Sequence, residues 1–409
     1  MKKIFLQAAV IILFITCLFI LVGFARGYRL DYINKKVVPT GILIATSTPD
    51  GAKIFINGTL RGATNQNISL PPGNYTVEIS KDGYTTWKSD VLVRGEVVSR
   101  ADATLFPLNP SLTPVTSLGI LHAEYFANAN KVAIITDNPE NATSSESLNG
   151  DVEKNGLYIL DTTKKPLSLF NPLKLIIGKS KFPNLDSLID TQSIVSPDGK
   201  ELLFTVNAKA KFPITYLVTT DETSINLFDT SRSKSTIITA WHEKEVKQTD
   251  KILETFKKPF YELAKNYFEI VYFSPDETKV LYRAKANVNI PIVIKPRLIG
   301  SNQADESRDI VSNNLYIYDK KEDRNFLIGN ISELPQQNIF WYPDSLHLII
   351  KEKKQISTIN YDGTHKQTVY SGPFEQNFVG VTQDGKLLIL ANLNPQKNNL
   401  PDLYAVGIR

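Results

Sequence analysis

Cysteine is almost absent from this sequence. The only one, Cys17, lies inside an uncharged apolar run near the start of the 409 residues. Disulfide bonds, thiol catalysis and cysteine-ligated metals are therefore excluded for the rest of the chain. Histidine is also scarce, and its four copies do not have the spacing of metal ligands. We expect no bound metal and no cofactor.

A strong charge of one sign is missing as well. The 46 Lys and Arg residues and 42 Asp and Glu residues give a formal net charge of +4, and no arginine-rich run occurs. The sequence therefore predicts no nucleic-acid partner. It contains neither a GxSxG nor a Walker A pattern, so no common catalytic motif indicates an enzyme.

One long apolar run is present, from Ile4 to Phe24, and it contains no charged residue. About 20 apolar residues are enough to span a bilayer core. Residues 1–30 are therefore predicted to be an N-terminal transmembrane anchor. A cleaved signal peptide ending near Gly23-Phe24-Ala25 and a buried core helix are the alternatives. Basic residues flank the run on both sides, so charge alone does not predict the orientation.

Residues 41–107 alternate short strands with strong turn signals. Asn57-Gly58 is a typical two-residue hairpin turn, and further turns are indicated at 71–73 and 82–83. The pattern predicts a small β-sandwich. The stretches PDGAKIFINGTLRGAT and LPPGNYTVEISKDGY resemble the PEGA domain, whose name motif appears here as Pro49-Asp50-Gly51-Ala52. The resemblance implies an extracytoplasmic accessory or interaction module without catalytic residues.

A strand–turn–strand pattern recurs through the remainder of the chain. It reads VSPDGKELLFTV at 195–206, VYFSPDETKVLY at 271–282, IFWYPDSLHLII at 339–350 and VGVTQDGKLLIL at 379–390, with a weaker copy at 124–136. A second strand–turn–strand signal follows each copy. After the copy at 195–206, this signal is INLFDTSRSKSTIIT, which begins at residue 225. Four strands per repeat, with a clear spacing of 40 residues between Asp344 and Asp384, predict a β-propeller.

The repeats resemble the PD40, or WD40-like, units of TolB-type propellers over residues 113–409. Five blades are predicted, with 113–119 pairing with 403–409 to close the ring, and six blades are the alternative. The predicted fold class is all-β: an N-terminal transmembrane helix, a small PEGA-like β-sandwich, and a propeller of about five blades. A helical insertion is predicted at 240–269.

Long insertions are predicted to collect on one face of the propeller. The turns inside each strand pair are short, whereas the other connections include 240–269 and 286–313, and long loops are usually functional or disordered. Partner contact is expected on that face. The candidate residues are Phe256, Phe260, Tyr267, Arg297, Arg308 and Asp309. The alternative is that the apolar side of the helical insertion packs on the propeller.

Four carboxylates are predicted at or near the start of the first strand in four blades: Glu124, Asp190, Glu269 and Glu375. Glycoside hydrolysis requires two carboxyl groups across the scissile bond. A carbohydrate-active propeller enzyme, glycan-binding or glycoside-cleaving, is therefore the alternative function. From the two resemblances, the favoured prediction is a non-enzymatic protein-binding or scaffold protein of a bacterial cell envelope. It would be membrane-anchored, with an extracytoplasmic body and with other envelope proteins or cell-wall glycan as partners.

Overall fold

The structure is a computed structural model. It describes residues 2–25, 28–31, 36–139, 153–163, 173–182, 187–207, 212–224, 226–296, 304–375, 378–393, 395–396 and 399–409. The described chain forms two compact units. The first extends to Leu108, and the second contains Asn109–Pro296 and Glu306–Arg409. Strands are the main element of both units, as expected for a mostly all-β protein.

The first unit begins with the helix α1 (Lys2–Ala25). The side chains described in α1 are Gln7 and those from Val10 to Gly23. Among them, Phe14 is 68% exposed and Phe19 is 76% exposed. Within the described part of the chain, no helix is both long enough and apolar enough to cross a membrane. The transmembrane anchor stays a prediction.

The strands of the first unit form a short hairpin and two larger sheets. The hairpin pairs β1 (Tyr28–Asp31) with β2 (Lys36–Pro39). The other strands are β3 (Gly41–Thr48), β4 (Lys53–Ile56), β5 (Thr59–Ala63), β6 (Gln66–Leu70), β7 (Gly73–Ser80), β8 (Trp87–Val93) and β9 (Val98–Thr104). One sheet has the order β6-β3-β9, in which β3 and β9 run parallel, and the other has the order β5-β4-β7-β8.

The two larger sheets share one hydrophobic core. Side chains alternate between the two faces of a strand, so Leu43 and Ala45 on β3 and Ile54 on β4 are completely buried. Trp87 is 7% exposed in the same core, and Tyr75 packs against its edge. Residues 41–107 thus form the small β-sandwich that the turn pattern predicts.

The second unit contains five consecutive antiparallel sheets, here numbered 1 to 5. Sheet 1 is β11 (Ile120–Phe126), β12 (Lys131–Thr136), β13 (Gly156–Asp161) and β14 (Leu173–Gly178). Sheet 2 is β15 (Thr191–Val195), β16 (Glu201–Val206) and β17 (Ile214–Thr219). Sheet 3 is β18 (Phe268–Phe273), β19 (Lys279–Ala284), β22 (Asn314–Asp319) and β23 (Arg324–Asn330). Sheet 4 is β24 (Ile339–Trp341), β25 (His347–Lys351), β26 (Ile356–Asn360) and β27 (Gln367–Tyr370). Sheet 5 is β28 (Val379–Val381), β29 (Leu387–Ala391), β30 (Asp402–Gly407) and β10 (Ser111–Pro114). A small hairpin of β20 (Val288–Asn289) and β21 (Asp309–Ile310) is inserted in sheet 3.

The first two strands of every sheet are joined by a turn of one geometry. One turn residue in each has a left-handed backbone, and these residues are Asn130, Gly199, Glu277, Ser345 and Gly385. Each of them donates its backbone N–H to the carbonyl oxygen three residues earlier. Because glycine adopts a positive φ without steric cost, the Asp-Gly pairs at 198–199 and 384–385 fit this turn best.

Aspartate side chains hold several of these turns in place. Asp198 Oδ1 accepts a hydrogen bond of 2.7 Å from Ser196 Oγ, and Asp276 Oδ1 accepts one of 2.7 Å from Ser274 Oγ. An aspartate in such a position satisfies backbone and hydroxyl donors that the turn leaves free. The recurring Pro-Asp signal of the sequence therefore corresponds to a repeated, side-chain-locked turn.

Sheet 1 contacts sheet 2, sheet 3 contacts sheet 4, sheet 4 contacts sheet 5, and sheet 5 contacts sheet 1. Apolar clusters join sheets 1 and 2, sheets 3 and 4, and sheets 5 and 1. The Tyr342 hydroxyl donates to Gly385 O of sheet 5 at 3.0 Å. The Tyr125 hydroxyl of sheet 1 donates to Val381 O of sheet 5 at 2.7 Å. Four of the five neighbouring pairs of sheets are thus in direct contact.

Sheet 5 is completed by a strand from the start of the second unit. Ser111–Pro114 pairs antiparallel with residues 404–407 of β30. The predicted closing segment, 113–119, is therefore placed two residues too late. Its later residues bind Asp402 instead, because Asp402 Oδ1 accepts hydrogen bonds from Leu118 N at 2.9 Å and Gly119 N at 3.1 Å.

Two helices separate sheets 2 and 3: α2 (Lys234–Leu253) and α3 (Lys258–Tyr267). The helical insertion predicted at 240–269 is thus present, but it begins earlier, at residue 234. The outer strands predicted for sheet 2 from 225 to 239 are wrong, since residues 234–239 are helical. The third strand is instead β17, inside the predicted 207–223 loop.

The helical insertion also reaches a face predicted to be free of insertions. Lys244 Nζ lies 2.6 Å from Asp198 Oδ2, in the turn between β15 and β16. Lys320 Nζ, in the turn between β22 and β23, donates to Thr255 Oγ1 at 2.7 Å. Both turns lie on the face predicted to carry only short loops, so the prediction that insertions sort to one face is wrong for this segment.

Candidate functional site

The innermost strands of all five sheets border one cavity of about 530 Å³. Its lining comes from His122–Tyr125 on β11, Thr191–Ile194 on β15, Tyr272 on β18, Phe340 and Lys351 of sheet 4 with Gln337 just before it, and Val379 of sheet 5 with Phe378 just before it. Ligand pockets usually measure about 300–1,000 Å³ and combine apolar walls with a few polar groups. This axial cavity is therefore the candidate site.

Aromatic rings supply much of the axial cavity's wall. The rings of Tyr125 and Phe340 meet edge to face, with their centroids 5.9 Å apart. Burial raises the pKa of Tyr125 to about 12, and its hydroxyl remains a donor to Val381 O. Burial also raises the pKa of Tyr272, and the carboxylate of Glu245 adds to this rise. Both tyrosines are therefore neutral at physiological pH.

Glu124 provides an acidic group in the axial cavity. Its Oε2 accepts a hydrogen bond of 2.5 Å from Ser193 Oγ of the neighbouring sheet. Burial raises the pKa of Glu124 above its ordinary value, while the Ser193 hydrogen bond and nearby His122 partly oppose that rise. A carboxyl group in this environment can accept, and when protonated donate, a hydrogen bond.

Lys351 provides a basic group from sheet 4. It lies at the end of β25, and burial lowers the pKa of its ammonium group. No carboxylate pairs with Lys351 within the described residues. Thr191 Oγ1, also in the lining, is buried and has no hydrogen-bond partner there. The axial cavity therefore contains polar groups whose hydrogen-bonding capacity the described protein does not fully use.

Only one of the four carboxylates predicted at the axis, Glu124, lines the axial cavity. Asp190 and Glu375 are exposed and lie just before the first strands of sheets 2 and 5. Glu269 lies on β18, but Arg283 Nη2 binds its Oε2 at 2.7 Å. The structure thus does not bring the four carboxylates together in this cavity.

Two residues of the predicted interaction face are in the hydrophobic core. Phe256 is 5% exposed and Phe260 is 1% exposed. The ring of Phe260 stacks on Tyr318 of sheet 3 with centroids 3.9 Å apart. Predicting them as partner contacts was wrong, because both rings pack against sheet 3 and are thereby removed from solvent. Tyr267, at the end of α3, is 42% exposed and remains accessible.

The three polar residues predicted for that face have different positions. Arg308 is largely buried and pairs with Glu306 and Asp323, so it holds the insertion together and is not free for a partner. Asp309 is exposed and accepts a 2.7 Å hydrogen bond from Asn289 Nδ2. Arg297 lies outside the described residues.

Sequence reasoning missed the aromatic lining, although the repeats contain a signal for it. Counting back five residues from the left-handed turn residue of each sheet reaches Tyr125, Ile194, Tyr272, Phe340 and Gly380. The first four line the axial cavity. At the fifth, a Cβ would lie 3.2 Å from the Tyr125 ring, so glycine makes room for that ring. Comparing this repeat position across the five sheets would have found the site.

No group of three or more potential metal ligands occurs in the described portion of the chain.

Comparison with protein families matches residues 40–109 to the PEGA domain. No curated protein matches the sequence significantly.

Several solved structures are similar to this chain at low identity. A putative TolB from Agrobacterium tumefaciens is 10% identical, covering 66% of this chain and 69% of that one, with a TM-score of 0.20. TolB from Acinetobacter baumannii is 13% identical, covering 72% and 59%, with a TM-score of 0.21. An oligogalacturonate lyase in complex with manganese is 10% identical, covering 86% and 82%, with a TM-score of 0.21. These TM-scores are too low to transfer any activity. The chain carries a PEGA domain at residues 40–109, followed by repeated sheets whose sequence motifs resemble those of TolB-type proteins.

Proposed function

We propose that this chain is a membrane-anchored, extracytoplasmic binding or scaffold protein of the cell envelope, without enzymatic activity. In this proposal the five sheets are the blades of a propeller, and the uncharged run from Ile4 to Phe24 is the anchor. The contacts of four neighbouring pairs of sheets, and the one cavity that residues of all five sheets line, support the ring. The PEGA domain supports an extracytoplasmic place for the body.

The axial cavity is the observation that carries the binding function. A carboxyl group from sheet 1 and an ammonium group from sheet 4 line it, together with the rings of Tyr125, Tyr272, Phe340 and Phe378. Polar groups buried without partners cost free energy, and a ligand that pairs with them recovers part of that cost. Thr191 and Lys351 would therefore pair with a polar segment of a partner, Glu124 would accept a further hydrogen bond beside that of Ser193, and Tyr272, Phe340 and Phe378 would contact its apolar parts.

A carbohydrate-active protein remains the alternative, and Glu124 favours it. A carboxyl group with a raised pKa, next to aromatic rings, is one half of the acid–base pair that glycoside hydrolysis needs. The second carboxylate would have to come from a residue that does not line the axial cavity. This alternative predicts sugar release from cell-wall glycan and its loss in Glu124→Gln.

A crosslinking experiment on the full chain tests the proposal. Envelope membranes containing the tagged chain are crosslinked and solubilised in detergent, and captured molecules are identified by mass spectrometry. The cavity variants are Glu124→Gln and Lys351→Met, and the matched controls are Glu243→Gln and Lys247→Met, which change exposed residues of α2.

We expect both cavity variants to lose a partner that the parent and both controls capture. Equal capture by all five proteins would refute binding through the axial cavity. Release of reducing sugars by the parent, lost in Glu124→Gln, would favour the enzyme instead.

A further inference from the structure

Glu124 brings a carboxylate into the axial cavity, and no lysine or arginine of the described chain pairs with it. Its hydrogen-bond partner there is Ser193, whose Oγ donates to Oε2 at 2.5 Å, while Oε1 is left without a partner among the described residues. Burial raises the pKa of this carboxyl group, because the charged form has lost water. A cation supplied by a ligand would offset that loss, since an opposite charge nearby favours the ionised form.

A second uncommitted acceptor lies on the same side of the axial cavity. Side chains two residues apart on a strand point to the same face, so Thr191 points to the side on which Ser193 meets Glu124. Thr191 Oγ1 is buried and has no hydrogen-bond partner in the described chain. Two residues along a strand span about 7 Å. A ligand that uses both acceptors therefore needs donors spread over several ångströms.

The rest of the wall suits an organic cation. Tyr125 follows Glu124 on β11, and Tyr272 and Phe340 supply further rings. The face of an aromatic ring is negative and attracts a cation that lies within about 6 Å of the ring centre. A metal ion is a poorer fit, because the described residues contain no group of three or more potential metal ligands. One carboxylate with several rings is enough for an organic cation.

A guanidinium group fits this wall better than an ammonium group. Guanidinium is flat, weakly hydrated and carries five N–H donors in a fork, so it can stack on a ring while it donates to more than one acceptor. An ammonium group is compact and strongly hydrated. It would lose more hydration on entry and would reach fewer of the two separated acceptors, Glu124 and Thr191.

Lys351 indicates what must accompany the cation. Its ammonium group has no partner among the described residues, and burial lowers its pKa. Lys351 also lines a neighbouring pocket of about 640 Å³, so it lies at an edge of the axial cavity. A bound cation would be repelled by Lys351, but a carboxylate on the same ligand would pair with the lysine and offset the repulsion. Because the axial cavity is only about 530 Å³, the two ligand groups must lie close together.

We infer that the axial cavity binds an arginine side chain of the partner, with its guanidinium group against Glu124 and Thr191 and with a carboxylate of the same partner against Lys351. The inference rests on the binding function proposed above and names the groups that enter the cavity. The carboxylate belongs either to an acidic residue next to the arginine or to a C-terminal arginine itself, and the chemistry is the same in both cases.

Isothermal titration calorimetry of the full chain in detergent tests this inference with two small probes. Acetyl-Arg-Glu-amide has the carboxylate on a neighbouring side chain, and acetyl-Gly-Arg with a free C-terminus has it on the arginine itself. Each probe has two matched controls. Citrulline replaces arginine in one, which keeps the shape and removes the charge, and a carboxamide replaces the carboxylate in the other.

We expect at least one probe to bind with a Kd of about 1 mM or lower, and about tenfold or more tighter than its citrulline control. The tighter of the two probes identifies the source of the carboxylate. In Glu124→Gln the preference for arginine should fall to about threefold or less, because the charge that it recognises is gone. The exposed control Glu243→Gln should keep the preference of the parent. In Lys351→Met the preference for the carboxylate over the carboxamide should disappear.

The inference is overturned by equal affinity of the arginine and citrulline probes in the parent, or by binding of every probe weaker than about 10 mM. Both comparisons alter the ligand, so they hold even if a cavity variant does not fold. A preference for arginine that persists in folded Glu124→Gln would also overturn it. These results leave the proposed binding function standing if crosslinking still depends on the axial cavity, whereas equal capture by all five proteins removes both.

Discussion

Asp323 is expected to be among the most important polar residues for the stability of the second unit. Its carboxylate is buried in the turn between β22 and β23, with a side-chain exposure of 1%. It accepts hydrogen bonds from Val293 N at 2.8 Å, Ile294 N at 2.9 Å, the Tyr318 hydroxyl at 2.9 Å and Arg308 Nη1 at 3.2 Å. One carboxylate thus ties the 286–313 insertion to sheet 3.

The substitution Asp323→Ala would leave these four donors without their acceptor. Removing one member of a buried ion pair typically costs about 3–5 kcal/mol, because the remaining charge stays buried. We expect a loss of about 3–5 kcal/mol in the free energy of unfolding, since partial hydration of the freed donors limits the total. Asp323→Asn keeps one carbonyl acceptor and removes the charge, so we expect about 1.5–3 kcal/mol.

Urea unfolding of the full chain in detergent, followed by tyrosine and tryptophan fluorescence, measures these losses. The matched control is Asp309→Asn. Asp309 is an exposed aspartate of the same insertion, and its side chain accepts a hydrogen bond from the side-chain amide of Asn289. We expect the control to change the free energy of unfolding by no more than about 0.5 kcal/mol. An effect of Asp323→Ala no larger than that of Asp309→Asn would refute the reasoning.

The pH dependence gives an independent check on Asp323. Burial alone would raise the pKa of this carboxyl group, but the N–H donors of Ile294 and Val293, the Tyr318 hydroxyl and Arg308 outweigh burial and lower it. A lowered folded pKa stabilises the fold above the unfolded value of about 3.9, and this stabilisation is lost as the pH falls through the folded pKa. Below about pH 4 the parent should therefore lose more stability than Asp323→Asn. Equal losses in the two proteins would contradict the assignment.

Three further predictions concern larger parts of the chain. Deleting residues 403–409 should lower the melting temperature of the whole second unit, because β10 and β29 lose their partner strand; an unchanged melting temperature would exclude this closure. Replacing 286–313 by a short Gly-Ser turn should also lower the melting temperature, because Ile290 and Ile310 are each 2% exposed; loss of binding at an unchanged melting temperature would instead indicate an interaction loop. Protease added to intact cells should cleave the body of the protein, whereas a protected body would place it on the cytoplasmic side.

The repeated turns could be predicted from the sequence because their cause is local. A proline, an aspartate and a residue with a left-handed backbone occur within four residues in the turns at Gly199, Glu277 and Ser345, so these three copies are clear in the sequence. The turn at Gly385 keeps the Asp-Gly pair without the proline, and the turn at Asn130 has neither, so that copy is the weak one. The PEGA sandwich follows from similar turn chemistry. Both predictions use interactions between residues that are close in the chain.

The second half of sheet 2 could not be predicted in the same way. The run Ile237-Ile238-Thr239 is β-branched and favours a strand, yet it lies in α2. Helix and strand propensities differ by less than about 1 kcal/mol per residue, so tertiary contacts decide. Two such contacts are Lys234 Nζ to Thr205 Oγ1 at 3.0 Å and Lys244 to Asp198. They exist only after sheet 2 has folded, and the sequence pattern does not contain them.

The candidate site could be predicted only in part, because some of its residues meet only through tertiary contacts. Glu124 was found because a carboxylate at the start of an innermost strand suggests acid–base chemistry. Lys351 was missed, since it follows an ordinary buried strand and meets the axial cavity only because sheet 4 lies beside it. Phe256 and Phe260 were assigned to the wrong environment because an apolar helix face looks the same whether it covers a sheet or awaits a partner.

The pairing of β10 with β30 has a consequence for the synthesis of this protein. Thr116 and Asp402, which meet beside this pair, are 286 residues apart in sequence. A ribosome adds about 5–20 residues per second, so roughly 15–60 s pass between the emergence of the two. During that time the face of sheet 1 that later packs on sheet 5, with Ile120, Val132 and Ile134, remains uncovered. Contacts of such long range form late, so a nascent chain of this protein exposes an apolar sheet face throughout that period.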